Sequence, residues 1–164
     1  MEIVHTRVDF RLIHGQVITK WIRLCGASEI VIIDDALEKD PFLLSIYTMA
    51  APPGFEVKVY GVETSMAKWN EGTFVDDKAF VLFKDISTLL RAVQAGLPVG
   101  EVQVGGVEFK PGRTNVYGTV SLDDSDARAL KSVQDAGFPV YFQSTAEDPK
   151  ETLDSILRKH SFDI

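Results

Sequence analysis

Cysteine, histidine and long apolar runs are all scarce in this chain of 164 residues, and each scarcity excludes something. The one cysteine, Cys25, rules out an intrachain disulfide and leaves no thiolate cage for zinc. Three histidines, His5, His14 and His160, form no His-x-x-x-His pair, so no metal site and no metal cofactor are expected. Apolar stretches such as Ile30 to Ile33 are strand-sized, far short of the ~20 residues that span a bilayer. The N-terminus, MEIVHTRVDF, lacks the basic stub, apolar run and small-residue cleavage site of a signal peptide, and a cytoplasmic location is expected. Neither Gly-x-Gly-x-x-Gly nor Gly-x-x-x-x-Gly-Lys-Ser/Thr occurs, so the fingerprints of dinucleotide binding and P-loop hydrolysis are missing.

Positive charge is also short. Seventeen Lys and Arg face 24 Asp and Glu, a net charge of −7. Residues 1–25 carry a net +2 and the remainder −9. Four bases spread over 25 residues make no stripe able to neutralise several phosphates, which excludes nucleic acid as a partner. A small anionic group held by one or two arginines remains open.

What is present is ordinary globular material, 45% hydrophobic and 25% charged. A chain of this length buries roughly 70% of its unfolded surface, enough for a core without staples. One domain over residues 1–164 is expected. Ile3 to Phe10 alternates as a half-buried strand, with Val4, Thr6, Val8 and Phe10 on one face. From Gly15 the period changes, and Val17, Ile18, Trp21, Ile22 and Cys25 mark an amphipathic helix. Further strands are predicted at Glu29 to Asp34, Phe55 to Tyr60, Ala79 to Phe83, Glu101 to Val104, Tyr117 to Leu122 and Pro139 to Gln143. Helices start after Asp40-Pro41, near Glu63, after Asp85 and after Asp123 or Asp124. Asp148, Pro149 and Glu151 predict the cap, first-turn proline and capping-box acid of a last helix ending near His160. The class is therefore α/β: a mostly parallel sheet of about seven strands with helices on both faces. Ligands in such sheets sit at the carboxyl ends of strands, near the point where strand order reverses.

The turn Arg11-Leu12-Ile13-His14-Gly15-Gln16 therefore draws attention, because it joins a strand to the N-terminus of a helix. Helix amides attract an anion, Arg11 offers a planar donor fork, and a neutral imidazole is a nucleophile. Gly15 and Gln16 are candidate phosphate contacts, and Gly15 would let the backbone approach closely. Two readings stand: His14 accepts a phosphoryl group, or it caps the helix and bonds the backbone. Leu12 and Ile13 could exclude water or belong to a docking face. Asp34-Asp35 and Lys84 evoke a phospho-accepting receiver, but the third strand runs Val57 to Val62 without its acceptor aspartate, so cap and strand-end roles are expected. His5 reads as a polar-face strand residue, His160 as a last-turn cation and Cys25 as small core. In the loop from Lys110 to Asn115, Lys110 and Arg113 are either anion contacts or parts of a surface turn.

The run Arg7 to Val17, RVDFRLIHGQV, resembles the signature of the B component (IIB) of the mannose/fructose/sorbose family of the bacterial phosphoenolpyruvate-dependent sugar phosphotransferase system. Asp34-Asp35, Lys39 to Phe42, Met49 to Gly54, Gly105-Gly106 and Val120 to Asp123 are similar to that family in the same order, so the likeness covers essentially the whole chain. The resemblance implies a protein-phosphohistidine–sugar phosphotransferase. His14 would receive a phosphoryl group from a phosphohistidine on the A component (IIA) and pass it to sugar carried by the membrane components (IIC and IID). It also implies that Arg11 helps to hold the phosphate, and that the chain is cytoplasmic and peripheral to the transporter. Phe10 departs from the family, where that position is commonly polar or acidic. Such transfer depends on in-line positioning and stabilisation of spread negative charge. The alternative is a non-catalytic regulatory module of the same fold that binds phosphate or a phosphorylated partner.

Overall fold

The computed structural model describes residues 1–164. Strand β1 (Glu2–Asp9) leads through the His14 turn into α1 (Gly15–Cys25), followed by β2 (Glu29–Ile33), a short α2 (Asp35–Glu38) and α3 (Pro41–Met49). Then come β3 (Glu56–Tyr60), α4 (Val62–Glu71), β4 (Lys78–Phe83), α5 (Ile86–Gln94) and β5 (Val102–Gly106). A hairpin of β6 (Thr114–Tyr117) and β7 (Val120–Leu122), α6 (Asp124–Asp135), β8 (Val140–Phe142), β9 (Glu151–Thr152) and α7 (Leu153–Lys159) complete the chain. The main sheet has seven strands in the order β3-β2-β4-β1-β5-β8-β9, all parallel except β9. The α/β class and mostly parallel sheet expected from the sequence are what the chain forms.

The chain starts in the middle strand, winds outward through β2 and β3, returns in β4 and crosses to the far side of β1 in β5. Strand order thus reverses around β1, and its carboxyl end at Asp9 faces the crevice that such a reversal opens. Two apolar clusters cover the sheet. The larger includes Val8, Val31, Phe83, Leu89, Val104 and Leu130. The smaller includes Ile18, Trp21 and Ile22 of α1 with Ile30, Phe80 and Leu82. Burying such a side chain contributes about 1.5–3 kcal/mol, so the three buried residues of α1 anchor the helix that follows the candidate site. No helix is long and apolar enough to cross a membrane.

Four sequence expectations change. Residues Tyr117 to Leu122 are not a sheet strand: Gly118 turns them, and β6-β7 form a separate antiparallel hairpin. The strand predicted to Asp34 stops at Ile33, and Asp34 takes its expected cap role on a helix that the apolar pattern is too short to announce, accepting from the Leu37 amide at 2.9 Å. The last helix is capped by Thr152; Asp148 instead closes its own turn by accepting from the Thr145 amide and hydroxyl at 2.8 and 3.0 Å, and Glu151 pairs in β9. Finally, β1 is not half-buried. A register shift between Ile3 and His5 breaks its alternation, leaving Val4 on the α1 side and Val8 on the other. Residues Thr6 to Asp9 are buried throughout.

His5 is half-buried on the α1 side of the sheet. Its ring stacks between Phe80 and Trp21, with centroids at 5.0 and 5.6 Å, and Nε2 meets Gln103 Oε1 at 3.1 Å. Burial lowers its pKa; the Gln103 hydrogen bond opposes this and the nearby Arg7 charge assists it. The unfolded chain therefore binds a proton near pH 6.5 that the native chain refuses, and stability falls as pH drops below that value. Urea midpoints from pH 7.5 to 5.5 should decline, His5 contributing a slope of at most about 1.4 kcal/mol per pH unit. In His5→Gln, which keeps a donor but cannot titrate, the decline should flatten; an unchanged slope would assign it to other groups.

Candidate functional site

Arg7 and Asp9 lie two residues apart on β1 and so share a face, the one that α1 covers. Both side chains are fully buried. The Arg7 guanidinium donates to Asp9 Oδ2 from Nη2 at 3.0 Å and to Gln103 Oε1 from Nη1 at 2.5 Å. It also reaches the carbonyl oxygens of Gln143 at 3.2 Å and Ser144 at 3.0 Å, and lies 5.9 Å from the Trp21 ring. The side chain that fills this space would collide with a neighbour at position 105. A Cβ on Gly105 would stand 2.0 Å from Arg7 Nη2, and one on Gly106 would stand 2.8 Å from Asp9 Oδ1. The register between β1 and β5 slips here, with Val8 opposite Val104 and Asp9 opposite Gly106, so a bulge at Gly105 opens room for the ion pair.

Asp9 is the hub. It accepts six hydrogen bonds: two from Arg7, three from Arg11 and one from His14. Arg11 approaches edge-on, Nε to Oδ1 at 2.9 Å and Nη2 to Oδ2 at 3.0 Å, while its backbone amide reaches Oδ1 at 3.1 Å. Burial pushes the Asp9 carboxyl up, but the bonds from His14 and Arg11 and the Arg7 charge outweigh it and hold the group well below the usual carboxylate range. Asp9 is therefore an ionised acceptor. Its backbone carbonyl takes the Leu12 amide at 3.0 Å, closing a turn in which Leu12 adopts φ +56°.

That turn delivers His14 to the N-cap position of α1. The ring does not cap the helix, contrary to one of the two readings open from sequence; Nε2 lies 3.0 Å from Asp9 Oδ2. Because an ionised carboxylate only accepts, Nε2 carries the hydrogen, and Nδ1 of the neutral ring keeps its lone pair. The side chain is 22% exposed. Gly15 and Gln16 are exposed beside it. A Cβ on Gly15 would meet nothing within 4 Å, so glycine there serves its φ of +51° rather than the close approach expected.

The amino end of α1 is open in a way that no other helix end is. Carboxylates or a hydroxyl of Asp34, Asp40, Asp85, Asp123 and Thr152 accept from the amides of α2, α3, α5, α6 and α7. Glu38 and Asp35 take the Gly61 and Val62 amides at the start of α4. Only α1 has neither a side-chain acceptor nor an acid in its first turn. Its dipole and free amides are left for an anion from outside.

Other candidates are placed as follows. Asp34 and Asp35 are cap acids, Asp35 also pairing with Arg91 at 2.7 Å. Cys25 packs against the smaller apolar cluster, and His160 ends α7. Leu12 is fully buried core and not a docking residue, whereas Ile13 is half-buried. In the Lys110 to Asn115 loop, Arg113 is committed to Asp126 at 3.0 Å and to the Glu108 carbonyl at 2.8 Å. Lys110 and Lys84 line a neighbouring cleft of about 170 Å³ with Phe10, whose ring lies 5.5 Å from the Arg11 guanidinium carbon. Phe10 thus supports the arginine as an aromatic surface where a polar residue would have bonded it. The sequence assigns no role to Arg7, Asp9 or Gln103, and Gly105 enters it only through the family resemblance, although two glycines ending a strand are a sign of close backbone or side-chain approach.

Known proteins share this sequence and fold. Residues 3–164 fit the family described as PTS system sorbose subfamily IIB component. The chain is 33% identical to the sorbose-specific EIIB component of Lacticaseibacillus casei, over 93% of each protein. It is 31% identical to the mannose-specific EIIAB component of Escherichia coli K12, with 97% of this chain matching 49% of that longer protein. The crystal structure of manxB from Thermoanaerobacter tengcongensis superposes with a TM-score of 0.91 at 41% identity, covering 97% of this chain and 96% of that one. With the match running from Ile3 to the last residue, the chain belongs to the sorbose subfamily of phosphotransferase-system IIB components.

Proposed function

We propose that this chain is a phosphoryl-transfer subunit of a sugar-transporting phosphotransferase system, and that Nδ1 of His14 is the atom that carries the phosphoryl group. The observation that carries the assignment is the 3.0 Å contact between His14 Nε2 and the buried Asp9 carboxylate, which leaves Nδ1 as the free nucleophile. In the first step Nδ1 attacks phosphorus as the nitrogen–phosphorus bond of the donor phosphohistidine, on the A component, breaks. The proton on Nε2 stays in place, so the phosphorylated ring is a cation held against Asp9. That cation makes the ring a ready leaving group. In the second step a sugar hydroxyl oxygen attacks phosphorus, the bond to Nδ1 breaks, and His14 returns to neutral; the hydroxyl proton passes to a base supplied with the sugar.

Arg11 and the open end of α1 supply the charge stabilisation. Arg11 spends Nε and Nη2 on Asp9 and keeps Nη1 uncommitted, while α1 presents unpaired amides next to Gly15 and Gln16. Donors fixed before the reaction cost no reorganisation when charge spreads over the phosphoryl oxygens. The acceptor sugar sits with the membrane components IIC and IID, so this chain docks at the cytoplasmic face of the transporter during transfer and leaves afterwards.

Incubation with the phosphorylated A component should give an acid-labile, base-stable adduct on the wild type and none on His14→Ala; equal labelling of that variant would sink the assignment. Saturable phosphate binding without any adduct would make the chain a phosphate-binding module instead. Asp9→Asn should slow labelling roughly 100-fold or more, since a neutral amide fixes neither the tautomer nor the ring cation. Replacing Arg11 by Lys keeps the charge but loses the edge-on fork, and transfer should slow about 10-fold or more with circular dichroism and melting little changed. Should Arg11→Lys unfold the protein, the arginine is a structural residue and its role here is wrong.

A further inference from the structure

We infer that the cleft walled by Lys84, Lys110 and Phe10, with the exposed Phe109 next to Lys110 in the chain, seats an acidic protein surface around the donor's phosphohistidine. The inference rests on the reading of His14 as acceptor and goes beyond it to the surface that selects the donor. Lys84 directly follows β4, whose last residue pairs with Val8, so it stands at the carboxyl edge level with Asp9. Lys110 comes from the turn after β5, the other neighbour of β1. Both lysines are exposed, and neither is among the ion-paired bases.

Of the acids in the same cleft one is ion-paired and one is hydrogen-bonded to neutral donors. Asp85 accepts from the Thr88 amide and the Ser87 hydroxyl, and Asp126 takes Arg113 and the Asp123 amide. Glu108 alone has a free carboxylate. Arg113, by pairing with Asp126 and the Glu108 carbonyl, fixes the turn that carries Lys110. The wall between the cleft and the His14 site is Phe10 with the Arg11 guanidinium over its ring. Lys84 and Lys110 balance the charges of Asp85 and Glu108, Arg113 balances Asp126, and the surplus of Arg7 and Arg11 over Asp9 leaves this edge one unit positive on a chain whose net charge is −7. A phosphohistidine with acidic neighbours meets the two unpaired lysines on that edge, where the chain's net negative charge is locally reversed.

Phe109 argues for a protein rather than a small anion. It is 68% exposed between the cleft residues Glu108 and Lys110, adds nothing to a bound phosphate, and offers an aromatic anchor to a partner surface. Exposed ammonium groups hold a free anion weakly, yet they steer an extended acidic face effectively.

The test uses the full chain with two donors: the phosphorylated A component of its own system, and phosphoramidate, which transfers its phosphoryl group to imidazole with loss of ammonia. In Lys84→Glu/Lys110→Glu, the association rate with the A component should fall about 10- to 100-fold at low salt, and the gap should close near about 0.5 M salt. Phe109→Ala should raise the dissociation rate with little change in association. Phosphoramidate should label His14 at the wild-type rate in every variant. The inference is overturned by an unchanged association rate in the double variant, or by loss of phosphoramidate labelling in parallel, which would put the lysines in the reaction itself. Wild-type protein that phosphoramidate cannot label would fail the His14 reading alone, and the association rates would still decide the docking surface.

Discussion

A carboxylate with no access to water must have its charge answered from within, and in this chain that requirement at Asp9 organises everything around it. Arg7 answers from below at 3.0 Å, and Arg11 answers from the side through both Nε and Nη2. Removing one partner of such a buried pair typically costs about 3–5 kcal/mol, because the other charge is left uncompensated. The two guanidinium groups exceed the one carboxylate by a unit of positive charge. The site is therefore attractive to an anionic group before one arrives, without being so positive that release becomes difficult. An interaction equally strong before and after transfer would bind the phosphate and not move it.

The same constraint reaches across the sheet. Arg7 takes Gln103 from β5 and the carbonyl groups of Gln143 and Ser144, which follow β8. Ser144 in turn accepts the Trp21 indole N–H at 3.2 Å and so ties α1 to the same point. Three strands and the helix after the site are gathered by one guanidinium. A buried polar network of this kind rigidifies its surroundings only when its members are satisfied, and the bulge at Gly105 is what lets Arg7 reach all of its acceptors.

Much of this fold is legible in the sequence because its signals are local. Pro41 after Asp40, Asp85 before an apolar period, and the step from period two to period three or four at Gly15 each report a structure made by a few neighbouring residues. Arg11 and His14 are legible for the same reason, since a strand-to-helix turn is a short-range object. Arg7 and Asp9 are not. Alternation in β1 marks them as the polar face, and polar faces usually meet solvent; whether a helix lies over that face depends on where α1 crosses, which residues 1–10 do not encode. The Thr152 cap and the β6-β7 hairpin fail for related reasons. Asp148 and Thr152 are both competent caps, and the choice between them is made by β9 pairing with β8 and by the Asp148 bonds to Thr145.

Asp9 also shapes the loop that it needs. Its side chain takes the Arg11 amide and its carbonyl takes the Leu12 amide, so the turn bearing Arg11 and His14 is folded by the residue those side chains then contact. Leu12 sits at φ +56° in that turn, a conformation that costs an L-residue on the order of 1 kcal/mol. Full burial of the same side chain in the cluster with Ile18 and Ile22 returns about 1.5–3 kcal/mol. Burial thus holds the strained turn closed from beneath, and the carboxylate holds it from above. The imidazole is left with one nitrogen restrained and the other free, at the only helix end in the molecule without an acceptor of its own. Positioning of that free nitrogen is then a property of the backbone turn and not of a flexible side chain, which is why a single hydrogen bond is enough to aim the ring.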